Sequence, residues 1–271
     1  MASGGAFLRL LGAGWTLVRN DALLPREAQA FYPGGIGVLA RGLRLFATRR
    51  AGRPGERLAR ALQTLGPVAI KVGQLLSTRG DIFGPTFADD LGHLKDRLPP
   101  FPLAQARAEV ERELGRPVDA VFRSFGVSVA AASLAQAHDA TLLDGRRVAV
   151  KVLRPGIERR VAADSEVLAL VARLVVRWAP LARRLEPVAL ADTVIRATEL
   201  ELDLRLEAAG GDELAEVMAA DGYMSAPKVI WASVDVPPMS KPITLAWPAT
   251  AAVRAIPTMP PAGPLRIASL P

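Results

Sequence analysis

The stretch Leu65-Gly66-Pro67-Val68-Ala69-Ile70-Lys71-Val72-Gly73-Gln74-Leu75-Leu76-Ser77-Thr78-Arg79 decides how this chain is read. Leu58, Leu62 and Leu65 lead into it at helical spacing, and Val68, Val72, Leu75 and Leu76 continue the apolar side. The pattern predicts a buried helical region from Gly55 to Arg79, kinked at Gly66-Pro67. Packing alone asks for neither Lys71 nor Gln74. An ammonium removed from water is costly unless something pairs with it. Lys71 therefore either runs its stem out to solvent or meets a carboxylate from elsewhere in the chain, and spacing leaves both readings open.

Outward from that helix, the 271 residues suffice for one large domain or two small ones with a real core. There is no cysteine, which excludes disulfides, thiol catalysis and Cys-type zinc sites, and only His93 and His138 are available as imidazole ligands. The net charge of +7 is carried entirely by residues 1–60, which hold ten arginines and three acidic residues. Such a segment suits an anionic membrane surface. It has few aromatics for base stacking and no nucleic-acid module, so no nucleic-acid partner is expected. Residues 6–19 and 36–49 read as short cationic helices, either solvated or docked on a membrane. No run of about 20 apolar residues offers a membrane span. The Ala- and Arg-rich composition, with five lysines, suits a bacterial protein peripheral to the inner membrane on its cytoplasmic side. The Arg-bearing first 20 residues also fit a mitochondrial leader.

Further along, a turn at Asp81-Ile82-Phe83-Gly84-Pro85 precedes a helix ended by Pro99-Pro100, and Leu103 to Leu114 forms another helix stopped at Gly115. Ser133 to Thr141 is strand-like, Asp144-Gly145 signals a hairpin, and Val148 to Val152 is a β-strand. Helices are expected over Ile157–Trp178 and Pro187–Ala209, with Gly210-Gly211 breaking the second, followed by a short strand at Lys228–Trp231. The last 40 residues contain nine of the 22 prolines and lose both periodicities, which predicts an irregular tail.

Two groups of residues could carry chemistry. The run Ala130-Ala131-Ala132-Ser133 precedes a hairpin whose second strand ends near Lys151. In kinase-like folds a small-residue loop lets backbone N–H groups approach phosphates, and a lysine on the third strand contacts the α- and β-phosphates. An exposed strand end is the plainer reading of Lys151. The second group is Glu199, Glu201, Asp203 and Glu207 on one expected helix, either a solvated acidic face or the source of a carboxylate for a lysine.

Lys71-Val72-Gly73-Gln74 resembles the KxGQ motif of the UbiB family of aarF/ADCK-like atypical kinases. Leu65-Gly66-Pro67, Leu75 to Arg79 and Asp96-Arg97-Leu98-Pro99-Pro100-Phe101-Pro102 resemble the same family, over roughly residues 7–231. The resemblance implies an alanine-rich loop at Ala130, Ala131, Ala132 and Ser133, a nucleotide-positioning lysine at Lys151 and its ion-pair partner at Glu207. It also implies an ExD motif at Glu201 and Asp203, with Lys71, Gly73 and Gln74 regulating access to the site. ATP or ADP is the implied cofactor, with Mg²⁺ in the intact family, and the implied setting is ubiquinone (coenzyme Q) biosynthesis with other proteins of that process as partners. Some members are named for 2-polyprenylphenol hydroxylation, but no flavin or metal signature supports that chemistry here. Two departures stand out. Gly210 replaces the usual Asn, and neither HxDxxxxN nor DFG occurs, so the Mg²⁺ ligands and catalytic aspartate of phosphoryl transfer are missing from the sequence.

The expected architecture is α+β, a helical KxGQ extension plus a kinase-like N-lobe without a C-lobe. Its parts are basic N-terminal helices (1–54), the KxGQ extension (55–125), the N-lobe (126–231) and a Pro-rich tail (232–271). The corresponding function is a truncated, catalytically incomplete atypical kinase or ATPase, the alternative being a non-catalytic membrane-surface or regulatory binding module.

Overall fold

Proline and glycine set most of the helix boundaries. In the computed structural model, which describes residues 4–23, 42–48, 51–92, 94, 99–221, 228–230 and 244–247, α1 spans Gly4–Arg19. Helix α2 (Pro54–Leu65) and α3 (Pro67–Ser77) each begin on a proline, whose missing N–H costs nothing at a first helical position. The expected kink between them is a full break. Gly66 has φ 115°, and a Cβ there would lie 2.5 Å from the Arg160 guanidinium. A short turn of helix, α4 (Gly80–Phe83), leads into α5 (Pro85–Gly92). Helix α6 covers Leu103–Leu114, and Gly115 closes it in the left-handed region at φ 65°.

Three strands follow: β1 (Phe122–Ala131), β2 (Ala135–Leu142) and β3 (Arg147–Leu153). Then come α7 (Ile157–Trp178), α8 (Pro187–Leu202), α9 (Leu204–Asp221), β4 (Lys228–Ile230) and β5 (Thr244–Trp247). The sheet order is β1-β2-β3-β5-β4, and every pairing is antiparallel. The chain is therefore α+β, as its composition and periodicities predict.

Several expectations need correcting. Ala130 and Ala131 lie in β1 rather than in a loop, so the small-residue turn shrinks to Ala132–Leu134. The acidic helix is two helices, with Asp203 at their junction (φ −87°, ψ 89°). Gly210-Gly211 does not end a helix, since α9 runs through to Asp221. Gly211 sits against Val229 of β4, and Asp212 accepts a hydrogen bond from the Val229 N–H at 3.0 Å, so tertiary contact overrides the weak helix propensity of glycine. Within the Pro-rich tail, Thr244–Trp247 forms β5. The Tyr32–Gly35 turn, Trp231, His93 and the other tail residues lie outside the described residues, as does most of the helix expected over 36–49, of which a 3₁₀ turn at Arg44–Phe46 is described.

Among the described residues, three apolar clusters organise the structure. Ala106, Val110 and Leu114 of α6 cover the face of the sheet formed by Phe122, Phe125, Val148, Val150 and Val152. Leu58, Leu62, Phe87 and Leu91 bind α2 to α5. Val68 of α3 joins Leu134, Leu153, Val161, Val194 and Leu204, welding the Lys71 helix to the sheet and to α7, α8 and α9.

A buried polar network fastens Phe101, in the segment that leads into α6, to the sheet. His138 is fully buried, stacks on Phe125 and donates from Nδ1 to the Gly126 carbonyl at 2.8 Å. Its Nε2 accepts from the Gln136 amide at 2.8 Å, and that same amide accepts from the Phe101 N–H at 2.9 Å and donates to the Phe101 carbonyl at 3.2 Å. Burial lowers the imidazole pKa below its ordinary value of 6.5, against a smaller raising effect of the Gly126 bond. The unfolded chain then binds a proton that the folded chain does not, so stability falls as pH drops from 6.5 towards the depressed native pKa. Thermal melts between pH 5.5 and 7.5 should show this loss on acidification, and His138→Phe, though less stable throughout, should flatten the slope across that window.

Candidate nucleotide site

The sheet has two unlike faces. Along β2 and β3, Gln136, His138, Ala140, Val148, Val150 and Val152 turn toward α6 and are buried. The alternate positions Ala137, Asp139, Ala149 and Lys151 are half-buried on the opposite face, as the two-residue period of a strand requires. Pairing sets Ala130, Ala137 and Lys151 in one row across β1, β2 and β3. Lys151 thus stands among alanines that leave the backbone open to a close neighbour.

Glu207, in the first turn of α9, faces that row. Both oxygens of its carboxylate accept from Lys151 Nζ, Oε1 at 2.5 Å and Oε2 at a shorter distance. The lysine assigned by resemblance to the nucleotide and the glutamate assigned as its partner therefore form an ion pair 56 residues apart in sequence. This is the strand-lysine and helix-glutamate arrangement that kinase-like sites use to position a nucleotide.

The turn beyond the row is held by a residue that the sequence reading did not single out. Arg154 donates to the Ala132 carbonyl through Nε at 3.1 Å and Nη2 at 2.9 Å, and to the Pro99 carbonyl at 3.0 Å. Its guanidinium also lies 5.7 Å from the centre of the Phe101 ring. Burial, and then the charge of Arg160, lower its pKa from the ordinary value. Arg154 ties Ala132 to the Pro99–Phe101 segment and so sets where the small-residue turn can sit. Ser133 in that turn is buried. An arginine just after a valine strand was the available signal, but its two carbonyl partners, Ala132 and Pro99, are not encoded locally.

The helix α3 approaches from the other side. Lys71 Nζ donates to Glu201 Oε1 at 2.5 Å, with the lysine side chain 19% exposed and the glutamate 45% exposed. The ammonium of the opening stretch therefore has its carboxylate, at the boundary of the protein rather than in its interior. Gln74 donates to the Leu94 carbonyl at 3.5 Å, a long bond. Gly73 is buried, and a Cβ on it would come within 2.2 Å of Leu94 and 2.7 Å of Leu62, so the space is already occupied by two leucines. Asp203 accepts from the Arg205 N–H at 2.9 Å and caps the start of α9.

The site residues thus divide into two groups. Ala130, Lys151 and Glu207 share one face with the Ala132–Ser133 turn at its end, and Ala131 pairs with Gln136 at the edge of the hairpin. Lys71 and Glu201 form a separate pair next to it, joined to the first group through the Asp203 junction. Among the described residues, no three His, Cys, Asp or Glu side chains converge on one point.

Comparison with known proteins identifies the family. The ABC1 atypical kinase-like domain family matches residues 93–246. A protein named "Probable protein kinase UbiB" from Cellvibrio japonicus is 40% identical over 229 residues, covering 83% of this chain and 41% of the relative. One of the same name from Marinobacter nauticus is 38% identical over 226 residues, covering 82% of this chain and 41% of the relative. Another from Aliivibrio fischeri is 40% identical over 213 residues, covering 78% and 39%. The chain therefore spans about two-fifths of the length of these curated relatives. A solved structure titled as the complex of Rv3197 and erythromycin from Mycobacterium tuberculosis aligns with a TM-score of 0.43 at 25% identity, over 79% of this chain and 50% of that one. With the domain match spanning more than half of its residues and relatives near 40% identity over most of its length, the chain belongs to the ABC1 (UbiB) family of atypical kinases.

Proposed function

We propose that this chain is the nucleotide-binding N-lobe of a UbiB-like atypical kinase or ATPase that serves ubiquinone biosynthesis. The observation that carries this reading is the ion pair of Lys151 with Glu207 above the alanine floor of the sheet. Glu207 holds the Lys151 ammonium in place, and the ammonium contacts the α- and β-phosphates of ADP or ATP. The Ala132–Ser133 turn, fixed by Arg154, closes over the phosphates, and its Cβ atoms make it stiffer than a glycine loop. Among the described residues no carboxylate cluster is placed to hold Mg²⁺, so the reading concerns nucleotide binding through Lys151 and not phosphoryl transfer. The ubiquinone assignment rests on the name of the relatives.

Lys71, Gly73 and Gln74 act as a regulatory element. Glu201 holds Lys71 beside the site, and α3 moves only if this pair and the Val68 cluster separate. The 271 residues contain no HxDxxxxN or DFG sequence, so the reading claims nucleotide binding for them and makes no claim of turnover. The test is a thermal-shift titration with ADP. At about 100 times Kd, ligand linkage adds about 2.7 kcal/mol to the stability of the wild-type chain. Lys151→Ala should lose most of that shift. An equal shift in both proteins contradicts the assignment of Lys151.

A second role is favoured by α1. Phe7, Leu8, Leu11 and Trp15 are exposed along one side of this helix, and Trp15 meets the exposed Phe46 with ring centres 6.2 Å apart. Combined with the arginine excess of residues 1–60, this surface suits peripheral binding to an anionic membrane, which in a bacterium is the inner membrane. No described helix is long and apolar enough to cross one. The chain should co-sediment with phosphatidylglycerol vesicles at low salt, release at high salt, and lose binding in Phe7→Glu/Trp15→Glu. Absence of binding at low salt sinks this role.

A further inference from the structure

We propose that the groove between α1, α2, α3 and α7 is a binding site for a single-chain anionic amphiphile, a long-chain acyl carboxylate being its simplest form. The groove encloses about 1100 Å³ and lies away from Lys151 and Glu207. Ligand pockets commonly fall between about 300 and 1,000 Å³, so this one has room for a full chain.

The walls and the mouth differ in chemistry. Leu62, Leu65, Val72 and Leu76 line one side, and Leu168 and Val171 the other. Helix α1 closes the groove with Gly12 at its centre, where a Cβ would meet nothing within 4 Å. Polar groups gather where α1 meets the start of α7. Asp164 accepts from Arg9 at 3.0 Å and pairs with Arg160 at 3.6 Å, and Arg160 also donates to the Leu65 carbonyl at 3.2 Å. Arg159, exposed at the same mouth, makes no hydrogen bond or ion pair among the described residues. Three guanidiniums against one carboxylate leave the mouth with two positive charges in excess.

An apolar trough with a cationic end selects one ligand shape. The tail lies against the leucines and valines, and a carboxylate or phosphate at its end accepts from the free fork of Arg159. A cationic head would be repelled. A neutral head would leave the arginine with water alone. The groove uses the side of α1 carrying Arg9, Gly12, Ala13, Thr16 and Leu17, and the exposed apolar face of Phe7, Leu8, Leu11 and Trp15 is not part of it.

The test uses the full 271-residue chain and a fluorescent long-chain fatty acid held below its micelle concentration. Displacement is compared for dodecanoate, dodecanol and dodecyltrimethylammonium. The expected result is saturable binding at one site, with dodecanoate about tenfold better than the alcohol, as a charged hydrogen bond confers. Affinity should rise up to about fourfold per added methylene. Arg159→Ala should bring dodecanoate down to the level of the alcohol and leave the alcohol unchanged. Gly12→Phe, checked for an unaltered melting temperature, should abolish both. Lys151→Ala should bind like wild type, which separates this site from the proposed nucleotide site. The inference is overturned by no saturable binding, by equal displacement with the cationic amphiphile, or by binding that survives Gly12→Phe. Binding that survives Gly12→Phe and is lost in Trp15→Glu assigns the ligand to the exposed face of α1 and overturns it too.

Discussion

Two ammonium groups, Lys71 in an apolar helix and Lys151 on a half-buried strand, need carboxylates, and both carboxylates come from either side of one break in a helical run. Glu201 sits in the last turn of α8 and meets Lys71. Glu207 sits in the first turn of α9 and meets Lys151. An unbroken helix would hold residues six positions apart about 120° from each other around its axis, with a fixed rise between them. The change of direction at Asp203 lets one carboxylate face α3 and the other face the sheet. Asp203 itself caps the new helix through the Arg205 N–H. Neither pair is a large source of stability, since both are partly exposed and open to solvent screening. Their effect is on placement. The stability comes from the apolar cluster around Val68, Leu153, Val161 and Leu204, which brings α3, β3, α7 and α9 together and leaves the lysines nowhere else to go.

The same division of labour holds at the hairpin. Apolar packing against α6 fixes the sheet, and a small number of polar groups then fix the turn at its end. Arg154 reaches carbonyls at Ala132 and Pro99, while Gln136 and His138 tie Phe101 to the strands. The segment Pro99–Phe101 is thus held from two directions, and the turn that is proposed to cover phosphates rests against it. Every hydrogen-bonding group of the Gln136 amide is used, which is the condition under which a buried polar network is tolerable.

Local signals made much of this legible in the sequence. Leu103–Leu114 with its glycine stop, the hairpin through Gly145 (φ 91°) and the long helix Ile157–Trp178 each carry their own start and stop chemistry. The resemblance implies the pairing Lys151–Glu207 and sets the ExD residues Glu201 and Asp203 against the Lys71 helix, and the structure selects Glu201 as the partner of Lys71, since nothing in spacing connects residues 130 and 56 positions apart. Strand β1 escaped notice because its pairing with β2 shifts register at several points, which destroys the two-residue alternation. The break at Asp203 has neither glycine nor proline to announce it, whereas Gly210-Gly211 announces a break that tertiary contact with Val229 removes. Thr244–Trp247 loosely resembles the family's next strand, and β5 forms there through its partners β3 and β4, although the composition of the tail alone does not show it. The groove beside α1 is assembled from four helices, and no single segment carries its pattern.

The central claim is that nucleotide binds where the small-residue turn, Lys151 and the first turn of α9 converge. Amide hydrogen exchange of the whole chain with and without saturating ADP tests it most directly. The account predicts slower exchange at Ala132–Leu134 and at Leu204–Glu207 on binding, with α6 (Leu103–Leu114) unchanged. Protection confined to α1 and α7, or no protection at either of the named turns, would contradict it.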